Sequence, residues 1–356
     1  MENAVPIIKE GLISVIMANY NTPLPYLKKA IDSILAQTYT AFEFIIVDDG
    51  STDNSPEVIR SCPDPRIRLI CNEQNRGLAY SLNKAMEHCQ GEFIARMDSD
   101  DISLPDRFAK QFSFMREHPD VIVCGAWADT IDKNGIDAGW SIRGTISDQE
   151  EYRICLLFGN TPTIVHPSAF LNRRLLLRHG LKYDVRYRNA QDYQLWVRCA
   201  RIAGCRIIPE TMVLYRIHEA SVSKKLRTEQ DNCSYRIIQE QLDRLHLTLP
   251  EELKRSHFLF VTYNHLPPYD RRLKGWLVSI IRANKKHRVY DLRKLKRTIW
   301  TSWGKICYKE LSTRPDFKRT AEILFSMPPL SLAEFCRLIR KKINRTVRSL
   351  LPGKKV

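Results

Sequence analysis

Arg96-Met97-Asp98-Ser99-Asp100-Asp101 gathers three carboxylates within four positions. They follow Glu92-Phe93-Ile94-Ala95, an apolar run that reads as a strand. Carboxylates this close repel one another unless a cation or a polar ligand satisfies them. Hard oxygen donors suit Mg2+ or Mn2+, ions that commonly share their shell with the phosphates of a substrate. An acidic turn capping a helix that starts near Leu104-Pro105 has the same composition, and this stretch alone does not separate the two. Further polar groups bear on the choice: Asn19-Tyr20-Asn21, Asp48-Asp49-Gly50-Ser51-Thr52-Asp53, Asn75-Arg76-Gly77, Gln191-Asp192 and Tyr215-Arg216-Ile217-His218.

Short apolar runs must position these groups. Leu12 to Met17, Phe42 to Val47, Ile67 to Ile70 and Glu92 to Ala95 read as buried strands. Helices are predicted between them. Leu24, Leu27, Ala30, Ile31, Ile34 and Leu35 recur at helical spacing, with Thr22 as N-cap; Ser55 to Arg60 and Leu78 to Met86 supply two more. Strand alternating with helix implies a parallel sheet with right-handed crossovers. The groups at Asn19 to Asn21, Asp48 to Asp53 and Asn75 to Gly77, with the carboxylates Asp98 to Asp101, then end four strands along one edge, where open α/β sheets bind ligands. Neither G-x-G-x-x-G nor G-x-x-x-x-G-K-[ST] occurs, which argues against a nicotinamide dinucleotide site or a P-loop. Beyond the carboxylates the pattern predicts a helix from Leu104 to Glu117 and a strand from Val121 to Ala126. A loop or hairpin over 129–148 follows, then a strand or loop from Thr163 to Phe170, a helix from Gln191 and a strand from Arg206 to Arg216.

The charge is divided along the chain. Net charge is +16 over 356 residues, yet 31 of the 56 Lys and Arg lie from Lys224 onward, against 12 of the 40 Asp and Glu. Residues 1–223 are thus slightly acidic, and 224–356, helical in pattern throughout, carry the whole basic surplus. That basic region has three readings: a face lying on an anionic membrane surface, a nucleic-acid binder, or a helical cap with a solvated face. No nucleic-acid recognition motif is present. Ten cysteines are scattered without a C-x-x-C pair, as expected of reduced, mostly buried thiols. The N-terminus lacks the basic start and apolar core of a signal peptide, and no run reaches the roughly 18–20 apolar residues that span a bilayer. The expectation is a cytoplasmic protein, peripheral at the inner face of the cell membrane if the basic region binds lipid.

Taken in order, Val15-Ile16-Met17 with Tyr20-Asn21, Val47-Asp48-Asp49-Gly50-Ser51-Thr52-Asp53, Asn75-Arg76-Gly77, Asp98-Ser99-Asp100-Asp101, His166-Pro167-Ser168, Gln191-Asp192-Tyr193-x-x-Trp196 and Tyr215-Arg216-x-His218-x-x-Ser221 resemble glycosyltransferase family 2. The resemblance covers roughly residues 10–223 and stops before the basic region. It implies a catalytic domain over 1–223 with a GT-A-like, Rossmann-type α/β fold, its mostly parallel sheet flanked by helices and followed by a helical region over 224–356. The implied activity is metal-dependent, inverting transfer of a sugar from a nucleoside diphosphate sugar, UDP-linked in the typical case. The acceptor would be a hydroxyl of a glycan or lipid-linked acceptor in surface polysaccharide synthesis. A protein or simple lipid acceptor, or a non-catalytic nucleotide- or glycan-binding module, are the alternatives.

Residue by residue, the resemblance places Ala18, Tyr20, Asp49, Arg76, Gly77, Asp98 and Ser99 on the nucleotide-sugar side. Asp49 would pair with the base and Asp98 with the ribose. It gives Asp100 and His218 to a Mn2+ or Mg2+ bridging the diphosphate, and leaves Asp101 as a structural residue capping the next helix. It makes Asp192 the base that takes the acceptor's proton. Gln191 departs from the family, which usually has an acidic residue there; the change removes a charge that would raise the Asp192 pKa. His166, Ser168, Gln191 and Trp196 fall on the acceptor side. Trp196 suits a helix core equally well, and a His-Pro turn in the interior would look like His166-Pro167-Ser168.

Overall fold

A computed structural model describes residues 7–159, 164–218, 227–260, 266–313, 323 and 328–350. The chain divides into two compact units, residues 1–149 with 162–234, and residues 150–161 with 235–356. The change of charge near residue 224 and Ser221 of the last motif both lie outside the described residues.

The first unit begins with β1 (Lys9–Asn19), α1 (Leu24–Leu35), β2 (Phe42–Asp48), α2 (Ser55–Arg60), β3 (Ile67–Cys71), α3 (Leu78–Glu87) and β4 (Gly91–Asp98). These four strands pair in parallel in the order β3-β2-β1-β4. Ile13, Val15, Ile16 and Met17 are fully buried because β1 is central and covered on both faces. Gly91 allows β4 to approach β1 closely: a Cβ there would stand 2.6 Å from the Leu12 carbonyl oxygen. Leu27, Ala30, Ile31 and Ile34 of α1 line one stripe of the core, each large side chain contributing on the order of 1.5–3 kcal/mol by leaving water.

The remainder of the sheet is mixed. After β5 (Ile102–Ser103) and α4 (Arg107–Glu117) come β6 (Val121–Ile131), β7 (Asp137–Ile142), β8 (Phe170–Asn172), α6 (Arg173–Arg178), α7 (Gln191–Ala200) and β9 (Gly204–Arg216). Strand β8 lies antiparallel between β4 and β6, so β6 runs in the direction of β4, and β9 runs parallel to β6. The C-terminal ends of β1, β2, β3, β4, β6 and β9 therefore share one edge.

Local expectations change at several places. Pro23, not Thr22, precedes α1, and the Thr22 hydroxyl instead bonds the Ser99 hydroxyl at 2.7 Å. Helix α4 starts at Arg107 because Ile102–Ser103 first pair with Leu214 and Val213 of β9. The 129–148 stretch contains the β6–β7 hairpin. His166–Ser168 form a single 3-10 turn ahead of β8, and Thr163 is outside the described residues.

The second unit is helical. Helix α5 (Gln149–Leu157) belongs to it from Glu150 onward, as does α8 (Arg227–Asp243) from Tyr235 onward. Then follow α9 (Lys254–Phe258), α10 (Arg271–His287), α11 (Leu292–Thr313) and α12 (Pro329–Leu350). His257 of α9 and Gln241 of α8 donate to the carbonyls of Leu157 and Leu156 at the end of α5, at 2.8 and 3.1 Å. Helices α11 and α12 meet at Gly304, where a Cβ would stand 2.5 Å from the Ser331 carbonyl oxygen. No described helix is long and apolar enough to cross a membrane.

Candidate active site

Three polar groups make up the candidate site, all in the first unit. Asp49, just past β2, is almost fully buried. One carboxylate oxygen accepts from Asn72 Nδ2 (2.7 Å), Arg76 N (2.9 Å) and Ser81 Oγ (2.9 Å), and the other accepts from Gly77 N (2.7 Å). Its charge thus orders the Asn75-Arg76-Gly77 loop against the start of α3. Gly77 has φ +90°, a backbone state that a side chain disfavours, and a Cβ would lie 3.6 Å from the Arg188 guanidinium. Ala18 is half-buried at the end of β1; Tyr20 and Arg76 are exposed, the Arg76 guanidinium lying 4.6 Å from the Tyr80 ring centre.

The second group is the carboxylate cluster. Asp98, Asp100 and Asp101 each offer an oxygen, and these lie within 4.8 Å of one another. Their partners differ. Both oxygens of Asp98 accept from the two terminal nitrogens of Arg96, whose side chain is 1% exposed. Asp100 Oδ2 lies 2.9 Å from His218 Nε2. Asp101 is fully buried and accepts from the Arg216 backbone N–H at 2.7 Å, while its Oδ2 has no hydrogen-bond partner. Burial first, then the charges of Asp100 and Asp98, push the Asp101 carboxyl well above its ordinary range. Asp101 is therefore a tie between β4 and β9 rather than a cap for α4. Arg216 extends that tie, donating from Nε to the Asp100 carbonyl (2.7 Å) and from Nη1 to the Asp132 carbonyl (3.1 Å), with its guanidinium 4.5 Å from the Tyr26 ring centre. The donor set fits a hard divalent cation: carboxylate oxygens converge, an imidazole nitrogen adjoins, and one buried oxygen stands unpartnered.

The third group is the N-terminus of α7. Asp192 is half-buried in the first turn. Burial raises its proton affinity, the Tyr193 amide and the charge of Arg96 lower it, and Asp98 raises it again. The missing acid at Gln191 thus leaves Asp192 a raised carboxyl all the same, because burial dominates. The charges of Arg96 and Asp98 reach it, so it lies near the carboxylate cluster. His166 Nε2 lies 2.9 Å from the Tyr183 hydroxyl, and its ring meets Trp196 edge-on at 6.2 Å. Burial and Arg96 push His166 well below its usual pKa, so it is neutral.

The remaining acceptor-side residues lie deeper than expected. Ser168 is wholly buried and its hydroxyl bonds Ala126 and Val165, while Trp196 is wholly buried in the α7 core. Neither offers a surface to an acceptor. Gln191 is almost fully buried, and Ser99 is buried against Thr22. Three residues escaped the sequence reading: Arg96, Tyr26 and Arg188. Arg96 had a signal, since it stands two positions before Asp98 and alternate strand residues share a face.

A parallel sheet edge that gathers an acidic cluster and a buried carboxylate with four donors is the place where open α/β folds build a ligand site. The model of glycosyl transferase family 2 matches residues 14–180. An uncharacterised glycosyltransferase of Methanocaldococcus jannaschii is 39% identical over 213 residues, covering 58% of this chain and 71% of the relative. The succinoglycan biosynthesis protein ExoO of Rhizobium meliloti is 31% identical, covering 61% and 64%. This chain belongs to glycosyltransferase family 2. Among solved structures, S. aureus TarS 1-349 in complex with UDP-GlcNAc has a TM-score of 0.55 at 16% identity, covering 87% of this chain and 90% of that one. The mannosyltransferase PcManGT of Pyrobaculum calidifontis, in complex with GDP-Man and Mn2+, has a TM-score of 0.51 at 17% identity, covering 95% and 83%. The fold is that of the GT-A glycosyltransferases.

Proposed function

We propose that this enzyme transfers one sugar, with inversion, from a UDP-sugar to a hydroxyl of a glycan or lipid-linked acceptor in surface polysaccharide synthesis. The observation that carries the reading is Asp192, a half-buried carboxylate in the first turn of α7 whose proton affinity burial raises and on which the charges of Arg96 and Asp98 act. The acceptor hydroxyl gives its proton to Asp192 as its oxygen bonds the anomeric carbon. The bond from that carbon to the phosphate oxygen breaks on the opposite face, and the diphosphate leaves with the electron pair. Asp100 and His218, with the free oxygen of Asp101 beside them, would hold Mn2+ or Mg2+, which neutralises charge on the leaving diphosphate. Asp98 Oδ1 and Oδ2 face the ribose. Asp49 Oδ2, with one partner in the chain, keeps an acceptor position for a base N–H. The UDP-GlcNAc complex of TarS and the succinoglycan relative support donor and product class respectively.

Asp192→Asn tests this. Turnover should fall about 10²–10⁴-fold while UDP affinity in Mn2+ stays within a factor of two or so. Undiminished turnover would remove Asp192 from the role of base, and no turnover or UDP binding by the native enzyme would favour a non-catalytic module.

The basic helical unit supports a peripheral site at the inner membrane face. Leu330, Leu332 and Ile339 of α12 are exposed on a helix rich in Lys and Arg. Co-sedimentation with vesicles containing about 30% anionic lipid should exceed that with neutral vesicles and fall in high salt; equal sedimentation with both would leave a solvated cap.

A further inference from the structure

Arg96 is a full cation in the interior of a strand, 1% exposed, and it has one conspicuous partner. Its two terminal nitrogens grip both oxygens of Asp98, and its Nε has no hydrogen-bond partner. A buried guanidinium is retained at considerable desolvation cost, so what it faces is informative. It stands beside a cluster of three carboxylates with two further buried guanidiniums close by: Arg216, 1% exposed with Nη2 unpartnered, and Arg107, 1% exposed and donating from Nη2 to the Arg96 carbonyl at 2.8 Å. The fork itself fixes the plane of the Asp98 carboxylate. Two of that group's roughly four acceptor positions go to Arg96, and one remains on each oxygen. Those two positions point away from each other, so each can take a separate donor, such as one hydroxyl of a ribose.

We infer that Arg96 is a positioning residue for the nucleotide donor, acting through Asp98: its fork fixes the plane of the carboxylate and so the direction in which a free position on one oxygen accepts a ribose hydroxyl. This rests on the proposed assignment of a nucleotide-sugar site. Lysine retains the charge but has no fork, so Arg96→Lys isolates the geometry from the electrostatics.

The test is UDP binding to the full-length enzyme in Mn2+, measured by calorimetry for the native protein, Arg96→Lys, Asp98→Asn and the double variant, with thermal melts alongside. Arg96→Lys should weaken UDP about 10–100-fold, as losses of a ligand's orienting partner commonly do. The double variant should be no weaker than Asp98→Asn alone, because Arg96 acts only through Asp98. Full additivity, or native affinity in Arg96→Lys, would overturn the inference. Should Arg96→Lys fail to fold, Asp98→Glu serves: it keeps the charge and Arg96 but displaces the carboxylate from the fork. It should then bind UDP as poorly as Asp98→Asn, and native affinity would overturn the inference. Failure of the native enzyme to bind UDP at all is a different result, one that removes the site assignment itself.

Discussion

Helix α5 is held by a histidine whose protonation state the fold fixes. His257 is fully buried; its Nδ1 accepts the Trp276 indole N–H at 2.9 Å and its Nε2 donates to the Leu157 carbonyl at 2.8 Å. Phe158 lies 4.8 Å from it, centre to centre. A second proton on Nδ1 would break the Trp276 bond and leave a charge in a dry interior. Burial accordingly lowers the pKa from 6.5 to about 4, the Leu157 carbonyl opposing only in part. In the unfolded chain the ring takes its proton near its ordinary value, while the folded chain resists until about 4. The stability present above the unfolded pKa is therefore lost as pH falls through this window, by about 3 kcal/mol in all and roughly 2 kcal/mol by about pH 5. Glutamine spans the same two partners without titrating. Urea unfolding of the native chain and His257→Gln, followed by tryptophan fluorescence, should show the stability difference between them shift by roughly 2 kcal/mol in favour of the variant between about pH 7.5 and pH 5. A difference that stays constant across that range would refute the reasoning, because the buried ring would then not be the group that titrates.

The cluster gives two more predictions. Asp101→Ala leaves the Arg216 N–H buried without its acceptor and should cost about 1–3 kcal/mol in thermal or urea unfolding, whereas Asp101→Asn keeps an acceptor oxygen and should cost less than half as much. Equal losses would mean that the charge of Asp101, not its hydrogen bond, is what the fold needs. Chelation of divalent ions should abolish sugar transfer, Mn2+ should restore it, and Asp100→Ala should weaken binding of Mn2+ alone as read by electron paramagnetic resonance about 10-fold or more; unaltered Mn2+ binding would move the metal away from Asp100.

How much of this was legible depends on how far apart the partners lie in the chain. The parallel half of the sheet follows from local apolar runs, since Ile13 to Met17 and Phe44 to Val47 announce buried strands and the polar residues after them announce their ends. The edge that gathers Asn19, Asp49 and Asp98 was therefore readable. What Asp49 does inside the protein was less so: its donors come from 23 to 32 positions away, and nothing in Asp-Asp-Gly-Ser distinguishes a turn from a carboxylate with four partners. Thr22 illustrates the competing pull. It has the composition of an N-cap, yet a hydroxyl partner 77 positions on, at Ser99, claims it. Helix α5 was illegible for a different reason. Its pattern is weakly periodic, and its place is set by His257 and Gln241, whereas the polar, Gly-containing stretch 129–148 did announce a loop or hairpin, with only the pairing to β6 left to the structure.

The mixed half of the sheet has its clearest rationale at Arg216. Antiparallel β8 reverses direction once, so that β6 and then β9 end on the same edge as β4. That brings residue 216 against residues 100 and 101, where its backbone N–H meets Asp101 and its Nε meets the Asp100 carbonyl. His218 stands two residues further, and residues two apart in an extended chain share a face, so the same tie that anchors Arg216 carries the imidazole to Asp100. Tyr26 stands under both, 4.5 Å from the guanidinium and 5.5 Å from the imidazole, centre to centre, which limits where either can go. The order of dependence runs from Asp101 through Arg216 to His218. Loss of the Asp101 acceptor should accordingly displace His218 from Asp100 before it unfolds the sheet, and weaken the metal site without removing either of its proposed ligands.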